Sequence, residues 1–156
     1  MRVAILSVGH RMPSWIHEGF QEYARRMPPE IRVELIEIKP GERGAGRSVD
    51  SAKQAEGARL LAALPSGAEL IALDERGTGI STQKLSDMLA GWMRDAVSPA
   101  FAVGGADGLA DAVKERAARI VSLSALTLPH GLVRVVLAEQ LYRAWSILAR
   151  HPYHRE

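Results

Sequence analysis

The side chains best equipped for chemistry in this 156-residue sequence lie in its last third. His130 precedes a helical pattern that carries Arg134, Glu139, Tyr142 and Arg143, and the sequence ends Arg150-His151-Pro152-Tyr153-His154-Arg155-Glu156. Phenol rings interleaved with imidazoles and guanidiniums suit stacking on splayed-out bases and pairing with phosphates. Chain ends also fray into polar filler, and from residue types alone a basic, frayed end is the preferred reading. Asp74-Glu75 is a second group able to trade protons. Adjacent carboxylates at a strand end are more often solvated loop residues.

Other chemistries fail on spacing. A nicotinamide dinucleotide site needs G-x-G-x-x-G directly after a strand, so that the pyrophosphate can approach a helix N-terminus. After the first strand this chain has only Gly9, followed by His10-Arg11-Met12-Pro13, and no G-x-x-x-x-G-K-[ST] loop exists. Gly104-Gly105-Ala106-Asp107-Gly108 reads equally well as a tight turn and as a small-residue ligand floor. Of the five histidines, His10, His17 and His130 are scattered, while His151 and His154 flank Pro152 outside a regular helix. With no cysteine and no H-E-x-x-H, no metal centre is expected. The G-x-S-x-G elbow of a serine nucleophile is absent.

Residues of this kind need a scaffold. Val3 to Val8 is a nearly continuous apolar run, as in strands of a parallel sheet buried on both faces. A helix follows from about Ser14 to Met27, with Trp15, Ile16, Phe20 and Tyr23 on one face, and Val33 to Ile38 alternates as a second strand. Pro40 to Ser48 reads as a mobile, basic loop. Asp50 or Ser51 caps a helix presenting Ala55, Ala58, Leu61 and Leu64. Leu70 to Leu73 is a third strand, ending at Asp74 to Gly79, and Ser81 caps a helix through Leu85, Met88, Leu89 and Trp92. Phe101 to Val103, Ala110 to Ala117 and Ile120 to Leu123 give strand, short helix and strand, before a long helix over about Leu132 to Ala149. Strict alternation predicts an α/β fold, a mostly parallel sheet flanked by helices, in one domain over 1–156. Ligands of such sheets bind outside the carboxyl ends of the strands, which selects the loops after Leu73, Val103 and Leu123.

Hydrophobic content of 47% and charged content of 24% are ordinary for a globular protein. A net charge of +2 is mild for a nucleic-acid binder, so any RNA contact must come from a local cluster. The first apolar run is too short for a signal peptide and no stretch approaches a membrane span, so a soluble, cytoplasmic protein is expected.

The run Ser122-Leu123-Ser124-Ala125-Leu126-Thr127-Leu128-Pro129-His130, followed by Leu132-Val133-Arg134-Val135, resembles the signature of the RlmH family. These YbeA-like proteins are bacterial 23S ribosomal RNA pseudouridine N3-methyltransferases. Glu139 with Leu141-Tyr142-Arg143-Ala144-Trp145-Ser146-Ile147, and the ending His151 to Glu156, are similar to that family almost letter for letter. Val8-Gly9, Met12-Pro13-Ser14-Trp15, Glu34 to Ile38 and the overall length agree as well, so the resemblance spans the chain.

The resemblance implies a SPOUT (α/β knot) fold whose C-terminal part threads a trefoil knot around S-adenosylmethionine. It implies methylation of N3 of a pseudouridine in helix 69 of 23S ribosomal RNA, on the assembled ribosome. Carried over residue by residue, the cofactor is held by Leu73, Gly104, Leu123, Ser124, Ala125, Leu126, Thr127 and Leu128. His130, Tyr153, His154 and Arg155 do the catalytic work, and Arg134, Tyr142 and Arg143 contact RNA. The family is homodimeric, which implies a composite site with cofactor from one subunit and tail from the other. Neither a metal nor a membrane is implied.

Two departures stand out. The family commonly has Pro-Glu where this chain has Ala106-Asp107, and often Pro where it has Gly131, which is expected to loosen the start of the last helix. A SPOUT enzyme acting on transfer RNA or on ribose is the first alternative, and a non-catalytic ribosome-binding factor the second. The intact tail disfavours the former and the undamaged run 123–128 the latter.

Overall fold

The computed structural model describes residues 1–155, so Glu156, at the end of the tail named above, lies outside them. Strands β1 (Arg2–Val8), β2 (Arg32–Ile38), β3 (Glu69–Gly79), β4 (Pro99–Val103) and β5 (Arg119–Ser122) alternate with helices α1 (Ser14–Ala24), α2 (Val49–Ala63), α3 (Thr82–Asp95), α4 (Asp111–Arg116) and α5 (His130–Leu148). A short 3-10 turn, Pro152–Arg155, follows. The strands form one sheet in the order β2-β1-β4-β3-β5, and every pairing is parallel. This is the expected α/β architecture.

The period-two alternation of side chains assigns the two faces. Val3, Ile5, Ile71, Leu73, Phe101 and Val103 join the core under α1, α3 and α5, where Trp92 meets Phe101 edge to face. Ala4, Leu6, Leu70, Ala72, Ala100 and Ala102 face α2 and α4. Four of these six are alanine, which lets that helix layer lie close to the sheet. Among the described residues, no buried side-chain nitrogen or oxygen lacks a hydrogen-bond partner. No helix among them is long and apolar enough to cross a membrane.

Several local expectations give way. Helix α1 starts at Ser14 but stops at Ala24, and Trp15 is 58% exposed while Ile16 and Phe20 are buried. Helix α2 begins earlier than expected, capped by Ser48, whose Oγ accepts from the Ser51 amide at 3.0 Å. Its buried face is Ala52, Glu56, Gly57 and Leu60, not Ala55, Ala58 and Leu61. The expectation missed this phase because a glutamate stands where an apolar residue was sought.

Strand β3 also runs on to Gly79. Leu73 and Thr78 both pair with Val121, so Asp74 to Gly77 bulges out and pairing with β5 resumes beyond it. A Cβ on Gly77 would lie 2.8 Å from the Val121 carbonyl carbon, which is why the returning strand carries glycine there. Nor is the segment 40–48 a free loop. Arg59 Nη1 donates to the carbonyls of Lys39 and Pro40 at 2.9 Å, and the Gly41 amide donates to the buried carboxylate of Glu56 at 2.9 Å.

Candidate active site

The carboxyl ends of β3, β4 and β5 enclose a cleft of about 790 Å³. That volume lies within the roughly 300–1,000 Å³ typical of small-molecule sites. One wall is the β3 bulge with Leu73, Asp74, Glu75 and Arg76, and a second is the turn from Val103 to Leu109. The third is the run after β5, which contributes Leu123, Ser124, Leu126, Thr127 and Leu128, then His130 and Val133 at the start of α5. Lys53 and Lys114 reach the cleft from α2 and α4.

The run after β5 holds its own shape. Ser122 Oγ donates to the Ser124 carbonyl and Ser124 Oγ accepts from the Leu126 amide, both at 2.9 Å. Thr127 Oγ1 donates to Glu75 at 3.0 Å, tying this run to the β3 bulge. Asp74 accepts from the Arg76 amide at 2.8 Å and pairs with Lys114 at 2.9 Å. Burial pushes the Asp74 carboxyl up, but the Arg76 amide and Lys114 outweigh it and hold the carboxyl below its ordinary value. Leu126, 75% exposed, offers an uncovered apolar side chain at the rim.

Glycines shape the second wall. A Cβ on Gly104 would lie 2.5 Å from the Gly108 carbonyl carbon, so the backbone of its own turn already requires glycine at 104. Gly108 has φ +81°, with nothing within 4 Å of where a Cβ would stand. Gly131 is explained by contact, since a Cβ there would meet Met12 Sδ at 3.1 Å. Glycine at 131 thus lets α5 approach the chain ahead of α1, and Pro129, in extended conformation, caps the helix.

Of the residues expected to do chemistry, Leu73, Gly104, Leu123, Ser124, Leu126, Thr127, Leu128 and His130 line this one cleft. Ala125 is exposed and does not line it. The rest lie elsewhere. The Arg134 side chain is 1% exposed, so it presents no surface to RNA in this chain. Its guanidinium donates to Ser7 Oγ at 3.0 Å, to the Gly9 carbonyl at 2.9 Å and to Glu37 at 2.9 Å. It ties the first turns of α5 to β1 and β2.

The tail folds back on the far end of α5. Tyr142 is only 6% exposed, stacked on Trp145 and covered by Tyr153 with ring centroids 4.6 Å apart. Its face is therefore already occupied. Tyr153 Oη donates to Glu139 at 2.9 Å, Arg143 donates to the same carboxylate at 2.6 Å, and the Arg143 guanidinium lies 5.0 Å from the Tyr153 ring centre. Burial first, then the Glu139 carboxylate, pushes the Tyr153 phenol up to about 12. This hydroxyl is a neutral donor at working pH.

Ser146, fully buried, donates to the Arg143 carbonyl at 2.7 Å and lies 3.2 Å from His154 Nδ1. A hydroxyl has one proton. With that proton spent on the carbonyl, the Ser146 oxygen can accept from His154 in the tautomer that carries its proton on Nδ1. Arg155 is exposed.

His130 is the first residue of α5, whereas this cluster packs along residues 139–146 of the same helix. At ~1.5 Å per residue that separation is about 14 to 24 Å along the axis. Sequence reasoning left out Lys53 and Lys114, which carry no local signature, and gave Asp107 and Ser146 no part in the site. Glu139 was legible as the i, i+4 partner of Arg143. Among the described residues, no group of three or more His, Asp or Glu is placed to hold a metal ion.

Comparison with known proteins supplies an independent constraint. Residues 1–154 match the family described as predicted SPOUT methyltransferase. The chain is 57% identical over 155 residues to ribosomal RNA large subunit methyltransferase H of Ralstonia pickettii (strain 12J), covering 99% of both chains. It is equally similar, 57% over 155 residues and 99% of both chains, to the protein of the same name from Burkholderia multivorans (strain ATCC 17616 / 249). A crystal structure of a probable methyltransferase from Bordetella pertussis Tohama I superposes with a TM-score of 0.59 at 16% identity, over 92% of this chain and 95% of that one, a likeness of fold.

Proposed function

Because this chain belongs to the SPOUT methyltransferase family, we propose that it methylates N3 of a pseudouridine in helix 69 of large-subunit ribosomal RNA, using S-adenosylmethionine. It acts in the cytoplasm on the assembled ribosome, as a homodimer. The observation that carries this reading is the cleft at the ends of β3, β4 and β5, lined by Leu73, Gly104, most of the run 123–128 and His130. The names of the relatives supply the class of RNA.

The cleft suits the donor chemically. Leu73, Val103, Leu123 and Leu128 offer apolar walls for an adenine, and the backbone of the glycine turn offers polar contact without side-chain bulk. Asp74 and Glu75 against Lys53 and Lys114 match a ligand bearing both signs of charge. Bound there, S-adenosylmethionine supplies an electrophilic methyl group on sulfonium sulfur. The same reading carries the C-terminal trefoil knot, which would hold the run 123–128 in shape before the donor arrives.

The protein's own work is alignment and proton removal. His154 Nε2, in the tautomer whose Nδ1 donates to Ser146, takes the N3 proton as the ring nitrogen accepts the methyl group. Tyr153 stays neutral and, with Arg143 and Arg155, orients the RNA. His130 stands at the donor cleft and fixes the base against it. Since the Ser146 contact sets His154 about 24 Å along α5 from His130, one chain alone does not bring them together. A second copy with α5 antiparallel sets one subunit's tail over the other's cleft.

Incubation with labelled S-adenosylmethionine and intact ribosomes, followed by mapping of the modified nucleotide, tests this reading. One methyl group on N3 of a helix 69 pseudouridine is expected. Labelling of naked RNA only, or of no RNA, overturns it.

A further inference from the structure

The segment between β2 and α2 takes no part in the chemistry above, yet it reaches the donor cleft. Its anchor is Glu56, 2% exposed on the inner face of α2. The Glu56 carboxylate accepts from the Gly41 amide at 2.9 Å and from Arg43 Nη1 at 2.8 Å. The same guanidinium donates to the Gly41 carbonyl at 3.1 Å and, through Nε, to Asp107 Oδ2 at 2.9 Å. Asp107 belongs to the glycine turn that forms the second wall of the cleft. Glu56 Oε1 lies behind that turn, 3.9 Å from where a Cβ on Gly105 would stand. Arg43 is thus a bridge from a fixed, buried carboxylate to the rim of the cleft.

The turn needs such a bridge. Gly104, Gly105 and Gly108 give it more backbone freedom than any other residues would, and ordering it costs correspondingly more. It closes on a narrow bridge between Gly105 and Gly108, where the Gly108 amide donates to the Gly105 carbonyl at 3.1 Å. An isolated pair as exposed as Arg43 and Asp107, at 31% and 34%, would hold little. Here Glu56 has already ordered the guanidinium, so less freedom is lost when its remaining edge engages Asp107.

We infer that Arg43 is a positioning residue for the methyl donor: it pins the turn 104–108 to Glu56, so that the cleft is formed before the donor binds. This gives the segment 40–48 the role of a strap on the donor site, and it rests on the reading of the cleft as that site. A cleft ordered in advance binds its ligand more tightly because ordering is no longer charged against binding.

Calorimetric binding of S-adenosylmethionine, with steady-state methylation of ribosomes, tests the inference on wild type, Arg43→Ala, Asp107→Asn, the double variant and Arg43→Lys. Arg43→Ala and Asp107→Asn should each weaken donor binding by about tenfold, and the double variant should be no weaker than the worse single, as coupled neighbours behave. Arg43→Lys should recover part of the loss. For Arg43→Ala, whose side chain does not line the cleft, the KM for ribosomes and the kcat at saturating donor should stay within about twofold, a split that general loss of structure would not give. Wild-type affinity in folded Arg43→Ala, or single losses that multiply in the double variant, overturns the inference. Should Arg43→Ala not fold, Arg43→Lys, Asp107→Asn and their double variant close the same cycle. Failure of the wild type to bind the donor overturns the reading of the cleft itself.

Discussion

Tyr153 shows how far a residue's surroundings set its chemistry. Its phenol titrates at about 12 instead of 10 because it is partly buried and donates to Glu139. A raised folded value means that the linked stability is complete below pH 10, the unfolded value, and is lost as the pH rises through about 12. The melting-temperature gap between wild type and Tyr153→Phe should therefore be constant from pH 6 to 9 and narrow above about 10. A gap that changes near neutrality would contradict this environment. Asp74 has the opposite sign: held below its ordinary 3.8, it contributes stability above that pH and loses it as the pH falls through the lowered value. Little of this was legible beforehand. The i, i+4 spacing of Glu139 and Arg143 could be read, whereas the Tyr153 bond to Glu139 depends on the chain folding back over fourteen residues. Arg134 and Tyr142 were expected at the RNA because of their types, and both are consumed inside the subunit.

At the scale of elements, helix α5 joins the core, the cleft and the tail. Its first turns are fastened to the sheet by Arg134, whose three hydrogen bonds reach β1, β2 and the Gly9 carbonyl. Arg134→Met keeps most of the bulk but strips that fastening and leaves buried Ser7 without its donor. It should destabilise the protein by about 3 kcal/mol, the low end for breaking a buried charge network. Denaturant unfolding measures this, and a loss under about 1 kcal/mol would show the fastening to be decorative. The alternation of strands and helices was legible because apolar runs and caps are local signals. Three features were not. Asp74 to Gly79 looks like a turn from its charges and glycines, yet the strand resumes because β5 offers a free edge. Glu56 hides the phase of α2, because its burial depends on Arg43 and the Gly41 amide, which lie 13 and 15 residues earlier. Trp15 was expected on the face of Ile16 and Phe20, but one residue before the first and five before the second it points away from both.

At the scale of the whole molecule, the residues with chemical potential form two groups about 14 to 24 Å apart along α5. The cleft half was legible from the strand-end rule alone. The tail half was not, because nothing in its composition distinguishes a frayed end from a folded one. In the proposed reading a second copy lets both halves act on one nucleotide, and exposed Trp15 and Leu148 leave apolar surface for such a contact.

Subunit mixing tests this most directly. Ser124→Trp fills the donor cleft and removes the bond to the Leu126 amide while leaving the tail intact. His154→Ala removes the proposed proton acceptor and leaves the cleft intact. Each variant alone should be inactive on ribosomes. After dissociation and random reassociation, half the dimers are mixed and each mixed dimer holds one complete site. Methylation should then recover to about a quarter of the wild-type rate. A mixture in which mixed dimers form but methylation stays at the level of the separate variants would contradict a site shared between two copies.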